Sequence, residues 1–584
     1  MKKIIVSVLF LSLFLVPAGP VAAQEDEGES SFSLNGYVKL QSGVFVPLLS
    51  DLFQEHESKN WEKRYRAQDR TWRQYNPRRT CDPAMTPTRP CFPDDHGQEA
   101  GSLSMFRATL QLEADWTPSE TFNLHAMFRG VRSLKLAADQ WAQPPEISKS
   151  GDAGVRHAYN QNFAHGHYNE TEIRELYLDA YPTDWLSFRL GRQQVTWGET
   201  GQFRLLDVIN PIDSTWHFAS LESFEDIRVP LWLAKAMIEF QSIDHMLELV
   251  WVPGIDKPED MVTTPLTFVG AWGIPPTDTP SPYNIEKKVF AYPDNSIEDT
   301  MRAGFRWKGN MPGLNNMTYS LVYYWTHQIS PPIPSYFDRK PRPEGVGYSD
   351  TDLTALYLTF PRQHIVGFTV DYTLENPIGM VLKLEAAVEP NRTFPRRSDT
   401  LYKRIDTNPG FEQRVHFDPK QKPVLSYALV AMRPTMIRWL NPTQNFMLVF
   451  QFMHTYIGEF DDKTCFGPPG EVKACTEDKN DLVNVPGYND WLIKEHSFTL
   501  VFATFTQYLH GMLTPKLVVA YLPPYDSGKD DWGAAFISAS LAVRLGPYWR
   551  MRLQINDFFG YDPYKSVGLF RDRDEINLSI LCQF

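Results

Sequence analysis

Two pairs of cysteines have a spacing that could do chemistry. Cys81 and Cys91 stand close together in a stretch rich in proline and charge, and Cys465 and Cys475 repeat the arrangement far along the chain. Close pairs inside Pro/Gly-rich stretches of an exported chain form local disulfides. Zinc is the rival ligand, but the spacing matches no finger motif and only His96 lies nearby. Two disulfides are therefore expected, leaving Cys582 as a small apolar side chain.

Nucleophilic chemistry finds less support. A serine hydrolase needs a histidine and an orienting polar residue around its serine. His125, His327, His364, His454 and His496 have no recognisable serine motif beside them. Asp461, Asp462 and Asp481 with His454 have the make-up of an acidic protease rim, though acidic loops are commonly only solvated. No Gly-rich phosphate loop, His-Glu-x-x-His helix or complete calcium loop occurs. The expectation is no enzyme, no metal and no cofactor. With 57 Lys+Arg against 70 Asp+Glu, a formal charge of −13 argues against nucleic acid as a partner.

The elements that carry these residues come next. Lys2 and Lys3 precede an apolar run from Ile4 to Val16; Pro17, Gly19 and Pro20 break it, and Ala22-Ala23 precedes Gln24. That is a secretory signal peptide over residues 1–23, leaving 24–584 as one domain. Beyond it no run approaches the ~18 apolar residues of a spanning helix. Strands can still cross a membrane, because their apolar residues alternate and vanish in a windowed average.

Alternation does recur. Phe106, Ala108, Leu110, Leu112, Ala114 and Trp116 interleave with Arg107, Thr109, Gln111, Glu113 and Asp115. Leu382, Leu384, Ala386 and Val388 interleave with Lys383, Glu385 and Glu389. Period-2 patterning predicts strands at 32–46, 103–116, 121–131, 172–182, 186–197, 230–241, 246–253, 300–308, 317–327, 363–373, 380–389, 424–433, 444–457, 496–507, 514–522, 533–545, 549–558 and 573–584. The gaps alternate between tight turns and long Pro/Gly-rich loops. Ile576, Leu578, Ile580 and Cys582 lead to a terminal Phe584, so the chain stops in mid-strand. Only closure leaves such a strand without an open edge. The expected fold is all-β: a transmembrane antiparallel β-barrel of about 18 strands (16–18), with short periplasmic turns and long extracellular loops. Phe584 is the expected insertion signal, which makes the barrel-assembly machinery a partner along with outer-membrane lipid and lipopolysaccharide.

One segment carries a specific motif pair. Leu190-Gly191-Arg192-Gln193-Gln194-Val195-Thr196-Trp197-Gly198-Glu199 precedes Asp207-Val208-Ile209-Asn210-Pro211-Ile212-Asp213. It resembles an uncharacterised family of bacterial outer-membrane proteins, the domain of unknown function 1302 family. There a Gly-Arg-Gln strand ending in Trp-Gly-Glu is followed by an Ile-Asn-Pro-x-Asp segment. The resemblance implies a porin-like barrel in the outer membrane of a Gram-negative bacterium. It also implies traffic in hydrophobic or lipid-like compounds beside an inner-membrane exporter.

The residues themselves suggest an Arg192–Glu199 ion pair, a turn started by Asn210, Pro211 and Asp213, and a short helix near Leu221–Glu225. About 18 strands enclose more space than wall side chains can fill. The third long loop, about residues 198–229, is therefore either a fold into the lumen or a brace on the wall. In the first case Glu199, Asp207, Asp213, Glu222, Glu225 and Asp226 set the field at the narrowest point, opposed by Arg189 and Arg192. Inward charges of both signs are expected elsewhere, such as Arg107, Arg129 and Arg306 against Glu175, Asp179 and Glu385. A channel is one functional expectation; a surface receptor or adhesin is the second. The basic, aromatic stretch 59–79, with Arg64, Arg66, Trp72 and Arg73, fits a lipopolysaccharide-gripping loop.

Overall fold

The computed structural model describes residues 31–46, 48, 103–134, 169–201, 205–213, 217–218, 221–254, 287–291, 297–328, 333–339, 353–394, 405–408, 411–416, 419–460, 495–524, 533–560, 567, 570 and 573–584. The expected signal peptide, the four loop cysteines, the acidic residues at 461–481 and the basic stretch 59–79 lie outside these residues.

In chain order the strands are β1 (Ser31–Phe45), β2 (Leu103–Ser119), β3 (Phe122–Ser133), β4 (Thr171–Thr183), β5 (Leu186–Gln193), β6 (Leu231–Phe240), β7 (His245–Val252) and β8 (Lys287–Ala291). There follow β9 (Arg302–Met311), β10 (Met317–His327), β11 (Ile333–Arg339), β12 (Leu353–Thr359), β13 (Arg362–Leu374), β14 (Met380–Phe394), β15 (Ile405–Asn408) and β16 (Phe411–His416). The last are β17 (Lys420–Thr435), β18 (Phe446–Ile457), β19 (His496–Phe505), β20 (Leu513–Leu522), β21 (Ala534–Leu545), β22 (Trp549–Gly560) and β23 (Glu575–Gln583).

Among the described residues, eighteen strands form one antiparallel sheet in which each pairs with its neighbour in sequence. The sheet closes where β23 pairs with β1, from Tyr37 opposite Gln583 to Phe45 opposite Glu575. Phe584 completes the seam: its N–H donates to the Gly36 carbonyl and its carbonyl accepts from the Gly36 N–H, both at 2.9 Å. The barrel is the predicted one, strand for strand.

Alternation sets the wall. Outward positions such as Leu34, Trp116, Leu190, Trp232, Leu429 and Phe450 are apolar and exposed, as a lipid-facing surface requires. Short connections join the strands at the rim where β1 begins and β23 ends; long ones join them at the opposite rim.

Two differences from the sequence expectation have physical causes. The strand expected to reach 197 stops at Gln193 because the Asn210 side chain captures the Val195 N–H at 2.7 Å, removing it from the ladder. A second, five-stranded sheet also forms, in the order β15-β16-β11-β12-β8, from stretches read as structureless loops. Its strands are four to seven residues long, too short for period-2 patterning to mark them.

Candidate functional site: a loop that crosses the lumen

Residues 194–230 connect β5 to β6, and the described ones among them bond through side chains and backbone to walls on opposite sides of the ring. Toward β14, the Glu385 carboxylate accepts from the N–H groups of Glu199 (2.9 Å), Thr200 (3.0 Å) and Leu206 (2.7 Å), and from the Thr200 hydroxyl (3.0 Å). Glu385 is fully buried. Only a closely wrapped backbone can give one carboxylate three N–H donors. Gly198 permits the wrap: a Cβ there would lie 3.1 Å from Asp207 Cβ and 3.3 Å from Glu385 Oε1.

Toward β1, β2 and β3 the loop is held by charge. Its four-residue helix, Phe224–Ile227, presents Asp226 to Lys39 (3.1 Å) and Arg129 (3.0 Å), and Glu222 lies 2.6 Å from Arg107. Arg174 on β4 donates to the carbonyls of Glu225, Asp226 and Arg228 at 2.8–3.0 Å. That supplies cationic donors to the helix's orphan carbonyls.

Toward β23 stands a histidine clamp. His217 is buried between two carboxylates: Nε2 lies 2.9 Å from Glu575 Oε2 and Nδ1 lies 3.1 Å from Glu222 Oε1. Burial alone would lower its pKa, but Glu575 and Glu222 outweigh it and raise the imidazole to about 9. For Glu222, burial opposes ionisation, yet Arg107, His217 and Lys39 hold it well below the ordinary carboxylate range. Lys39 and Arg129 likewise depress Asp226 against its burial. Glu170, just before β4, shifts the other way, to about 8, through burial and then repulsion from Asp213 and Glu172.

Apolar side chains complete the fit. Val195, Trp197, Leu206 and Ile209 pack with Leu231, Leu233, Val250, Val322 and Ile365 of the wall. Phe218 and Leu221 pack on a different sector, where Phe218 meets Phe536, Phe558 and Phe570 edge-on at 5.0–5.4 Å. That sector has an unexpected inner face. Following the register from β17 to β22, one inward row reads Val430, Gln451, Val501, Ala520, Phe536, Phe558. The next row reads Met432, Val449, Ala503, Val518, then Ser538, Asn556 and finally Glu575 at the clamp. The lumen is thus polar over β1–β4, whereas over β17–β22 these two rows are largely apolar and lie beside inward polar positions such as Lys516, Ser540, Arg552 and Gln554. Phe218 and Leu221 of the loop pack on the apolar part.

The motif residues divide. Arg192 does not pair with Glu199. It pairs with Glu172 at 2.8 Å and donates to the Ile173 carbonyl at 2.8 Å, while Glu199 pairs with Lys308 at 3.0 Å. Asn210 bridges separate stretches of the loop. Its amide joins three strands of chain, accepting from Val195 N–H and donating to the carbonyls of Gln193 (3.2 Å) and Val229 (2.9 Å). Next to it, Pro211 accepts from Val229 N–H and Asp213 donates its N–H to Ile227. Gln193 is buried and donates to the Leu233 carbonyl. Trp197 is fully buried, edge-on to Tyr324 at 5.9 Å. Gly191 has φ of +137°, and a Cβ there would meet the Leu176 carbonyl at 2.1 Å. Glu222 and Glu225 do not form a bare acidic rim: Glu222 is neutralised by Arg107 and His217, and only Glu225 is exposed. Arg189 is bound by Asp179.

The histidines weighed for catalysis have other bonds. His125 pairs with Asp115, His327 with two backbone carbonyls, His364 with Tyr323 and His454 with His496; none of these bonds involves a serine. Sequence reading missed His217, Glu575 and the apolar inner sector. Consecutive apolar runs such as Leu517-Val518-Val519-Ala520 were the available signal, since a strand apolar on both faces does not alternate.

Residues 4–584 match the family model described as "Protein of unknown function (DUF1302)". The chain belongs to this family. Among solved structures the chain is similar to Pseudomonas aeruginosa OccK5 (OpdH), with 9% identity, TM-score 0.40 and coverage of 95% of this chain and 98% of that one. It is also similar to the outer membrane channel DcaP of Acinetobacter baumannii, with 8% identity, TM-score 0.34 and coverage of 97% and 100%. Salmonella typhi OmpF, in complex with daunomycin, gives 8% identity, TM-score 0.33 and coverage of 95% and 97%. No curated protein matches the chain.

Proposed function

We propose that this protein is a porin-like channel of a Gram-negative outer membrane, with its short turns facing the periplasm and its long loops outside. Residues 194–230 narrow the lumen, and apolar or amphipathic solutes pass beside them along the inner face of β17–β22. The observation that carries this is the apolar character of that face. A water-filled pore has polar lumen walls, whereas here Val449, Val501, Val518 and Phe536 face inward in a buried apolar cluster against which Phe218 and Leu221 of the loop pack. Met432, Met447 and Leu522 remain partly exposed there, and methionine adapts to irregular apolar shapes. An inner-membrane exporter delivering such solutes fits the same picture. The charged sector over β1–β4 anchors the loop and carries water and small ions.

The test is uptake into proteoliposomes of an apolar dye and of a neutral sugar. Met432→Gln with Met447→Gln should slow the dye and leave the sugar unaffected. Equal rates for the dye in both proteins would remove the apolar route.

A surface receptor or adhesin is the second reading. It is favoured by one observation: the long-loop stretches fold into a sheet of their own, which gives the outer rim a structured surface.

A further inference from the structure

The short-turn rim carries a feature that channel function does not use. Its longest connection, 436–445 between β17 and β18, holds Trp439 at 82% exposure. Large apolar residues that lie on the outer wall are exposed far less, as with Phe450 at 57% and Trp116 at 46%. Trp439 therefore stands clear of the wall. Around it Met436 and Leu440 are exposed, and so are Leu509 and Met512 in the neighbouring connection, 506–512.

These two connections are locked together. The Asn441 amide, fully buried, donates to Thr506 Oγ1 (3.0 Å) and to the Gln507 carbonyl (2.8 Å). Its oxygen accepts from the N–H groups of Thr443 and Gln444, and the Tyr508 hydroxyl donates to the Leu440 carbonyl at 3.2 Å. The Met512 carbonyl in turn accepts from Arg544 N–H at 2.8 Å. A side chain lying in lipid needs no such rigid support; a protein-binding anchor gains from it, because less freedom is lost on docking.

Charge narrows the partner. Connections 436–445, 506–512 and 546–548 contain no Asp or Glu, while Arg438 lies within the first and Arg433 and Arg544 flank them, in a chain whose formal net charge is −13. Elsewhere on this rim Glu120, Asp184, Asp244 and Glu375 occupy the turns. Trp and Arg are the residue types that most often dominate interface energetics.

We infer that this rim sector docks a periplasmic protein, which receives Trp439 in an apolar pocket bordered by acidic side chains. The inference rests on the orientation proposed above. Labelling Leu440→Cys in intact cells with a membrane-impermeant thiol reagent tests that orientation separately. Labelling from outside would overturn both the orientation and the docking site. The docking test places photoreactive benzoylphenylalanine at position 440 of the full chain in its membrane. One discrete adduct to a periplasmic protein is expected. It should be lost on Trp439→Ala and on Arg433→Glu with Arg438→Glu, with the heat-modifiable barrel unchanged. The purified adduct partner should bind the Trp439→Ala barrel at least about tenfold more weakly than the native one. Adducts to phospholipid, an adduct of twice the chain mass, no adduct at all, or a protein adduct indifferent to these substitutions would each overturn the proposal.

Discussion

The carboxylate of Glu385 and the backbone N–H of Leu206 meet at 2.7 Å, although 179 residues separate them in sequence. One belongs to the wall and the other to the loop between β5 and β6 that reaches across to it. Glu385→Ala strands three N–H groups and a hydroxyl, each bond to a charged acceptor contributing about 1.5–3 kcal/mol. The barrel should still form, since its ladder is untouched, but the loop should loosen. Single-channel records of the variant should show larger and noisier currents than the native protein; identical traces would mean that the carboxylate does not hold the loop.

The histidine clamp gives a pH dependence with a definite sign. His217 rises from 6.5 to about 9 on folding, so its contribution is full below 6.5 and disappears as pH climbs through about 9. Glu222, depressed below 4.5, contributes above 4.5 and loses its effect as pH falls through its lowered value. Loop anchoring should be strongest between these limits. Conductance measured from pH 4 to 10 should rise toward the alkaline end, and His217→Gln should abolish that rise.

At the seam, Phe584 supplies two hydrogen bonds of 2.9 Å to Gly36. Deleting Phe584 removes both, along with the aromatic residue that ends the last strand. The amount of heat-modifiable, folded barrel recovered from membranes should fall sharply. Full recovery would show that closure does not depend on this residue.

Much of the architecture was legible in the sequence for one reason: a strand with one face on hydrocarbon and the other on polar groups must alternate. Phe106–Trp116 and Leu382–Val388 do so, and both lie in barrel strands. The loop's grip was not legible. Arg192 and Glu199 are close in sequence and opposite in charge, but Arg192 bonds to Glu172 on the neighbouring strand β4. The true partners, His217 with Glu575 and Glu385 with Leu206, meet only when the ring closes. The apolar inner sector was hidden differently, because its rows run across strands rather than along them.

Gly191 offers a test of the motif itself. Its φ of +137° and the 2.1 Å approach of the Leu176 carbonyl leave no room for a side chain. Strain of this kind costs about 1–3 kcal/mol before any clash is counted. Gly191→Val should lower the yield of folded barrel and its melting temperature by heat-modifiability; an unchanged melting temperature would mean that the strand relaxes freely here.

The most direct measurement is single-channel conductance in a planar bilayer, comparing the native protein with a variant in which residues 199–227 are replaced by a short Gly/Ser linker joining β5 to β6. If the loop narrows the lumen, the shortened barrel conducts well above the native level and loses the dependence on pH that His217 confers. A shortened barrel that folds but conducts no differently would place the limiting aperture elsewhere and contradict the role assigned to the loop.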